Sequence, residues 1–261
     1  MIKNKKSLGQ HFLHSPQIIK DIVSAGKVKR GDKIIEIGPG EGILTSALLT
    51  AGTHVIAVEK DDRLIPELQK KFSKEIAEKQ LSLLHADILD LDLLHIINNP
   101  YKVVANIPYY ITGQIIRMFL EEGLQPESMT LLVQKEVAER IVAKDGKESL
   151  LSLSVKAYGK PKYVRTVGRG AFSPQPNVDS AILTIDKIGK ERFEHTGVKL
   201  FFKVIHAGFA HKRKQLLPNL SGLYNKKILI EAFKKCRLNQ KVRAEDVPIE
   251  TWFELCTIIK T

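Results

Sequence analysis

Cysteine is scarce in this chain, with Cys236 and Cys256 the only two among 261 residues. Neither has His or Cys neighbours clustered at ligand spacing, which argues for buried thiols over a disulfide or a zinc site, and no metal is expected. Long apolar runs are also missing: no stretch approaches the roughly 20 residues that span a bilayer. The start, Met1-Ile2-Lys3-Asn4-Lys5-Lys6, leads into no apolar signal segment, so a cytoplasmic protein is expected. Internal repeats and low-complexity tracts are absent as well, which argues against solenoids and disordered tails. Negative charge is short. The 29 Asp and Glu face 41 Lys and Arg, for a formal net charge of +12 and a pI near 9.5. Such a field attracts polyanions, nucleic acid first and an anionic membrane surface second. What is present is enough apolar material, 43% of residues, to bury a full core in one large domain with a smaller one beside it.

In chain order, Ser15 and Pro16 suit the cap and first position of a helix whose buried face is Ile18, Ile19, Ile22 and Val23. Residues 32–37 read as a strand, Gly38-Pro39-Gly40-Glu41-Gly42 as a turn, and 43–51 as a helix. Residues 53–58 give a second strand, 63–72 a helix, 81–86 a third strand, 102–105 a fourth and 129–133 a fifth. Thr112 is positioned to cap a helix over 113–122, and a further helix is read at 149–158. Strands at 162–167 and 181–185 suit a terminal hairpin. Beyond residue 187 strand character ends, and helices follow at 198–210, 226–237 and 251–259. Strands alternating with helices, followed by helices alone, predict an α/β domain over 1–186 and a small all-helical domain over 187–261.

Candidate chemistry gathers where strands end, the place at which open α/β sheets bind ligands. Gly38 and Gly40 let the backbone approach a nucleoside closely, although glycine turns serve many purposes. Glu59 ends the second strand about twenty residues later, a spacing at which an acid accepts ribose hydroxyls. Asp87, after the third strand, is placed for an adenine amino group, or is an ordinary turn former. Asp61 and Asp62 read as solvent-facing or capping groups. The fourth strand delivers Asn106-Ile107-Pro108-Tyr109. An exocyclic adenine amine shares its lone pair with the ring, and carbonyls of Asn106 and Pro108 would draw on its hydrogens. Tyr109 offers a face for stacking. Asn and Pro also end strands in ordinary turns. Phe172 fits either a second stacking face or a core plug. His211-Lys212-Arg213-Lys214 suits a phosphate backbone or a solvated face.

Taken together, Gly9-Gln10-His11-Phe12-Leu13, Glu36-Ile37-Gly38-Pro39-Gly40-Glu41-Gly42, Asn106-Ile107-Pro108-Tyr109, the stretch from Phe172 to Ser180 and Lys212-Arg213-Lys214 closely resemble the KsgA family of small-subunit ribosomal RNA adenine dimethyltransferases. The resemblance implies a Rossmann-like S-adenosylmethionine-dependent methyltransferase fold with a helical C-terminal domain. It implies N6,N6-dimethylation of two adjacent adenosines in a hairpin loop near the 3′ end of 16S ribosomal RNA, within a partly assembled small subunit, by a monomer with no membrane partner. His11, Leu13, Gly38, Gly40, Glu59, Asp87 and Asn106 would then line the cofactor site. Asn106, Pro108, Tyr109 and Phe172 would receive the target base, and Lys212, Arg213 and Lys214 would bind RNA. Many relatives carry Asn in place of His11. Rival readings are a large-subunit RNA methyltransferase that confers macrolide resistance, a non-catalytic RNA-binding assembly factor, and a dinucleotide oxidoreductase. The last two have no use for the Asn106 tetrapeptide.

Overall fold

The computed structural model describes residues 10–97, 100–211 and 213–260. The leader through Gly9, and Lys212 among the candidate RNA-binding residues, lie outside the described residues. The chain divides into two compact units, Met1–Ala138 with Lys160–Ile188, and Glu139–Gly159 with Gly189–Thr261.

The first unit begins with a short strand, β1 (Phe12–Leu13), and helix α1 (Pro16–Ala25). Ser15 caps α1 through its hydroxyl, and Ile18, Ile19 and Ile22 are its buried stripe. There follow β2 (Lys33–Ile37), α2 (Ile43–Thr50), β3 (His54–Glu59), α3 (Ile65–Lys71), α4 (Ser73–Ala77) and β4 (Leu81–His85). After them come β5 (Lys102–Asn106), α5 (Thr112–Glu121) and β6 (Ser128–Gln134). Strands β2 and β5 are buried on both faces over most of their length, as expected of parallel strands covered on two sides. The seven-stranded sheet runs β4-β3-β2-β5-β6-β9-β7, where β7 is Lys160–Val167 and β9 is Ser180–Asp186. Pairings from β4 to β6 are parallel, and β9 runs antiparallel to both β6 and β7.

Strand order reverses between β2 and β5, so a crevice opens beyond their carboxyl ends. The last two strands pair as expected, but the chain between them makes a detour: β8 (Phe172–Ser173) pairs with β1. Each of these strands has two residues, too few to show a period of their own.

One expectation fails locally. Thr112 does not cap α5 with its side chain; it is the first helical residue, and its buried Oγ1 has no partner among the described residues. A single 3-10 turn, Tyr109–Ile111, precedes the helix. Its carbonyl at Tyr109 accepts from the Thr112 N–H, doing a cap's work with backbone alone.

Helix α6 (Lys135–Val142) contains the point at which the two units are divided. The second unit includes α7 (Leu150–Tyr158), α8 (Val198–Gly208), α9 (Leu216–Leu220), α10 (Lys226–Lys235) and α11 (Ile249–Lys260). Helix α7 opens with a reciprocal capping box between Ser149 and Ser152. Its last residue, Tyr158, is buried against Phe193 and Phe202, with ring centroids 4.9 and 5.9 Å away. Phe201 and Phe253 stack at 4.3 Å beside them. This aromatic core explains why Glu139–Gly159 groups with helices far along the chain. Among the described residues no helix is long and apolar enough to cross a membrane.

Candidate active site

A cavity of about 320 Å³ sits at the crevice, walled by the ends of β2, β3, β4 and β5 and by residues 10–13. This is a volume suited to a nucleoside-sized ligand. The sequence brings five separated segments to it. Gly38, at φ +64°, has no heavy atom near the place a Cβ would occupy, so the turn is open to an approaching ligand. Gly40, at φ +59°, faces inward, where a Cβ would lie 2.9 Å from the ring of Phe12. Glycine is therefore required there for the leader to pack against the turn.

Glu59 is buried, 5% exposed. Its Oε1 accepts from the Asp61 N–H at 2.8 Å and its Oε2 from the Gly40 N–H at 3.2 Å. These bonds aim the carboxylate at the cavity and leave lone pairs for hydroxyl donors. Burial raises its pKa despite both bonds. Glu36 stands nearby at 1% exposure, and its Oε2 has no hydrogen-bond partner among the described residues. Burial, reinforced by the Glu59 charge, pushes its pKa up to about 8. A buried carboxyl oxygen left without a donor in the wall of a cavity is costly, and a ligand that brings a hydrogen-bond donor would relieve that cost.

Asp87 follows β4, its Oδ1 accepting from the Leu89 N–H at 3.1 Å and its Oδ2 from Lys60 Nζ at 2.5 Å. Burial works to raise its pKa, but these bonds prevail and hold it below the usual range. One lone pair on each oxygen is still free for an amino group.

Of the two readings of Asp61, solvent-facing or capping, burial overturns the first, while its Oδ1 accepts from the Arg63 N–H at 3.2 Å as a capping acid does. It is 1% exposed, and Arg63 grips it through Nε at 2.8 Å while Gln10 donates to its Oδ2 at 2.8 Å. The Arg63 bonds hold its pKa far below the ordinary value. This node ties the leader to the end of β3. Sequence reasoning missed Gln10 and Asp61 as a pair because they lie 51 residues apart.

Asn106 donates from Nδ2 to the His11 carbonyl at 3.1 Å. Since a carbonyl only accepts, this bond fixes the amide's orientation and leaves Oδ1 as an acceptor. The Pro108 carbonyl already accepts from the Ile111 N–H at 3.3 Å, closing the turn with one lone pair to spare. The Tyr109 hydroxyl meets Ser180 Oγ at 2.6 Å, and burial raises its pKa. His11 and Leu13 line the cavity, and Leu13 pairs with Phe172 across β1 and β8. Phe172 itself is 3% exposed, is packed in the core with Leu13 and Ile18, and does not line the cavity. Of its two readings, the structure gives it the core position. Arg213 and Lys214 are exposed in the second unit.

The mostly parallel sheet, the glycine turn at its switch point and an acid ending the next strand define a Rossmann-like nucleoside-binding fold, and the family it matches makes it an S-adenosylmethionine-dependent methyltransferase. The family model described as ribosomal RNA adenine dimethylase matches residues 1–261, and the chain belongs to that family. The ribosomal RNA small subunit methyltransferase A of Dehalococcoides mccartyi strain BAV1 is 44% identical over 98% of this chain and 88% of its own length. That of Fusobacterium nucleatum is 40% identical over 99% and 98%. Among solved structures, the 23S rRNA methyltransferase ErmE superposes with a TM-score of 0.81 at 25% identity, covering 96% of this chain and all of that one. A dimethyladenosine transferase from Plasmodium falciparum gives 0.79 at 27% identity, covering 94% and 96%.

Proposed function

We propose that this chain dimethylates two adjacent adenosines at N6, in a hairpin loop near the 3′ end of 16S ribosomal RNA, during assembly of the small subunit. The observation that carries the reading is the Asn106 amide, held by His11 so that its oxygen is left to accept. Gly38, Gly40, Glu59 and Asp87, with the backbone of His11 and Leu13, would hold S-adenosylmethionine, which supplies an electrophilic methyl group when bound. Asn106 Oδ1 and the Pro108 carbonyl accept hydrogen bonds from the adenine amine, which draws its lone pair out of the ring. Tyr109 stacks on the base, which must leave its neighbours to reach the crevice, a smaller cost in a loop than in a duplex. In each transfer one N–C bond would form as the donor's methyl–sulfur bond breaks, the sulfur leaving with that electron pair as a neutral thioether, and one proton passes from N6 to solvent; the two N–H groups allow two rounds. Neither Asn106 nor the Pro108 carbonyl takes up that proton. Positioning, which supplies roughly 7 to 11 kcal/mol in well-aligned cases, is the main source of acceleration.

In this reading the catalytic part of the chain lies within residues 1–186, less Glu139–Gly159, which groups with the second unit, and residues 187–261 bind RNA through Lys212, Arg213 and Lys214. The protein works as a cytoplasmic monomer on a partly assembled subunit and without a metal. The test is incubation with labelled S-adenosylmethionine and small subunits lacking the modification, followed by mapping of the modified nucleotides. Label on paired adenosines of the small-subunit RNA is expected; label in large-subunit RNA would replace this reading with the resistance-type activity.

A further inference from the structure

The backbone of His11 serves Asn106, but its side chain is engaged elsewhere. The imidazole stacks on Tyr109 with ring centroids 5.8 Å apart and planes 25° from parallel. Its Nδ1 lies 2.8 Å from the carbonyl oxygen of Pro174. A carbonyl cannot donate, so Nδ1 carries the hydrogen and, in the neutral ring, Nε2 is the acceptor. The Tyr109 ring is thus held twice, by Ser180 at its hydroxyl and by His11 across one face. His11 in turn joins three segments far apart in sequence: the leader, the turn after β5 and the loop after β8.

We infer that His11 is a positioning residue, whose imidazole backs Tyr109 and ties it to the Pro174 loop so that the ring is presented to the target base already oriented. The inference rests on the reading of Tyr109 as the stacking face. It assigns the His11 side chain to the RNA half of the site, while its backbone carbonyl orients Asn106. The bond to Pro174 uses Nδ1–H and the stack uses the face of the ring, so the brace requires no proton transfer by His11.

Full-length wild type, His11→Ala and His11→Phe would be compared on small subunits lacking the modification, with S-adenosylmethionine affinity measured separately by calorimetry. His11→Ala should lower kcat/KM for RNA about three- to tenfold, the range of one aromatic pair, with cofactor Kd unchanged within about twofold. His11→Phe keeps the ring packing and should recover most of that loss. From about pH 8 to about pH 5.5 the profiles of wild type and His11→Phe should have the same shape. The inference is overturned by cofactor affinity falling while kcat/KM for RNA holds, by His11→Phe as impaired as His11→Ala, or by an acid limb present in wild type and missing in His11→Phe. A wild type that labels neither ribosomal subunit would bring down the functional reading, and the inference with it. That outcome is distinct from an active wild type whose His11→Ala variant is unimpaired, which overturns the inference alone.

Discussion

Asn106 and Glu36 show how little of a residue's role lies in its identity. An Asn after a strand is a common turn former, and its selection as an acceptor here depends on the His11 carbonyl, 95 residues away, which occupies Nδ2. Asn106→Ala should therefore reduce methyl transfer by about two to three orders of magnitude, the effect of removing one oriented polar group, with RNA affinity nearly intact. Equal loss of both in a filter-binding and turnover comparison would reject that role. Tyr109→Ala should impair turnover more than Tyr109→Phe, which loses only the Ser180 bond. Glu36 makes a pH prediction. Its folded pKa of about 8 lies above the free value of 4.5, so across that window the folded chain binds the extra proton. Stability contributed by this group is full below the window and declines as pH rises through it, by at most about 1.4 kcal/mol per pH unit. Denaturant unfolding of Glu36→Gln should lack this decline, whereas a wild type whose stability runs parallel to that of Glu36→Gln over the same range would show the carboxyl to be ionised in the folded state.

At the scale of elements, the glycine turn couples conformation to packing. Gly42 stands at φ +72°, and an added Cβ would fall 2.5 Å from the ring of Phe72, itself 4% exposed. The left-handed backbone and the buried ring both penalise a side chain, so Gly42→Ala should destabilise the first unit by roughly 2 to 4 kcal/mol, measured as a fall in Tm. A neutral substitution would mean that α2 can shift against α3 at little cost. Strands β2, β3, β5 and β6 were legible from their apolar runs, and α1 from Ser15 and Pro16. The short strands β1 and β8 were not, because each is specified by the other across the chain; the helices α4, α6 and α9 went unread, and the start of α5 was misplaced because the adjacent 3-10 turn does the capping with backbone alone.

For the whole molecule, the excess of 12 positive charges predicts RNA affinity that falls steeply with salt. Replacing Lys212, Arg213 and Lys214 with Gln should make the slope of log affinity against log salt less negative by roughly 0.7 to 0.9 for each phosphate left without its cation. An unchanged slope would assign these charges to a solvated face.

The sequence by itself determined the alternation of strands and helices, the glycine turn, the acid that ends β3 and the tetrapeptide after β5, because local periodicity and residue spacing encode them. Only the tertiary structure decided which way the Asn106 amide points, that Asp61 anchors the leader through Gln10, that Phe172 lies in the core and that His11 leans on Tyr109. Each of these joins residues tens of positions apart, and a one-dimensional pattern holds no distance between positions that the folded sheet brings within a few ångströms.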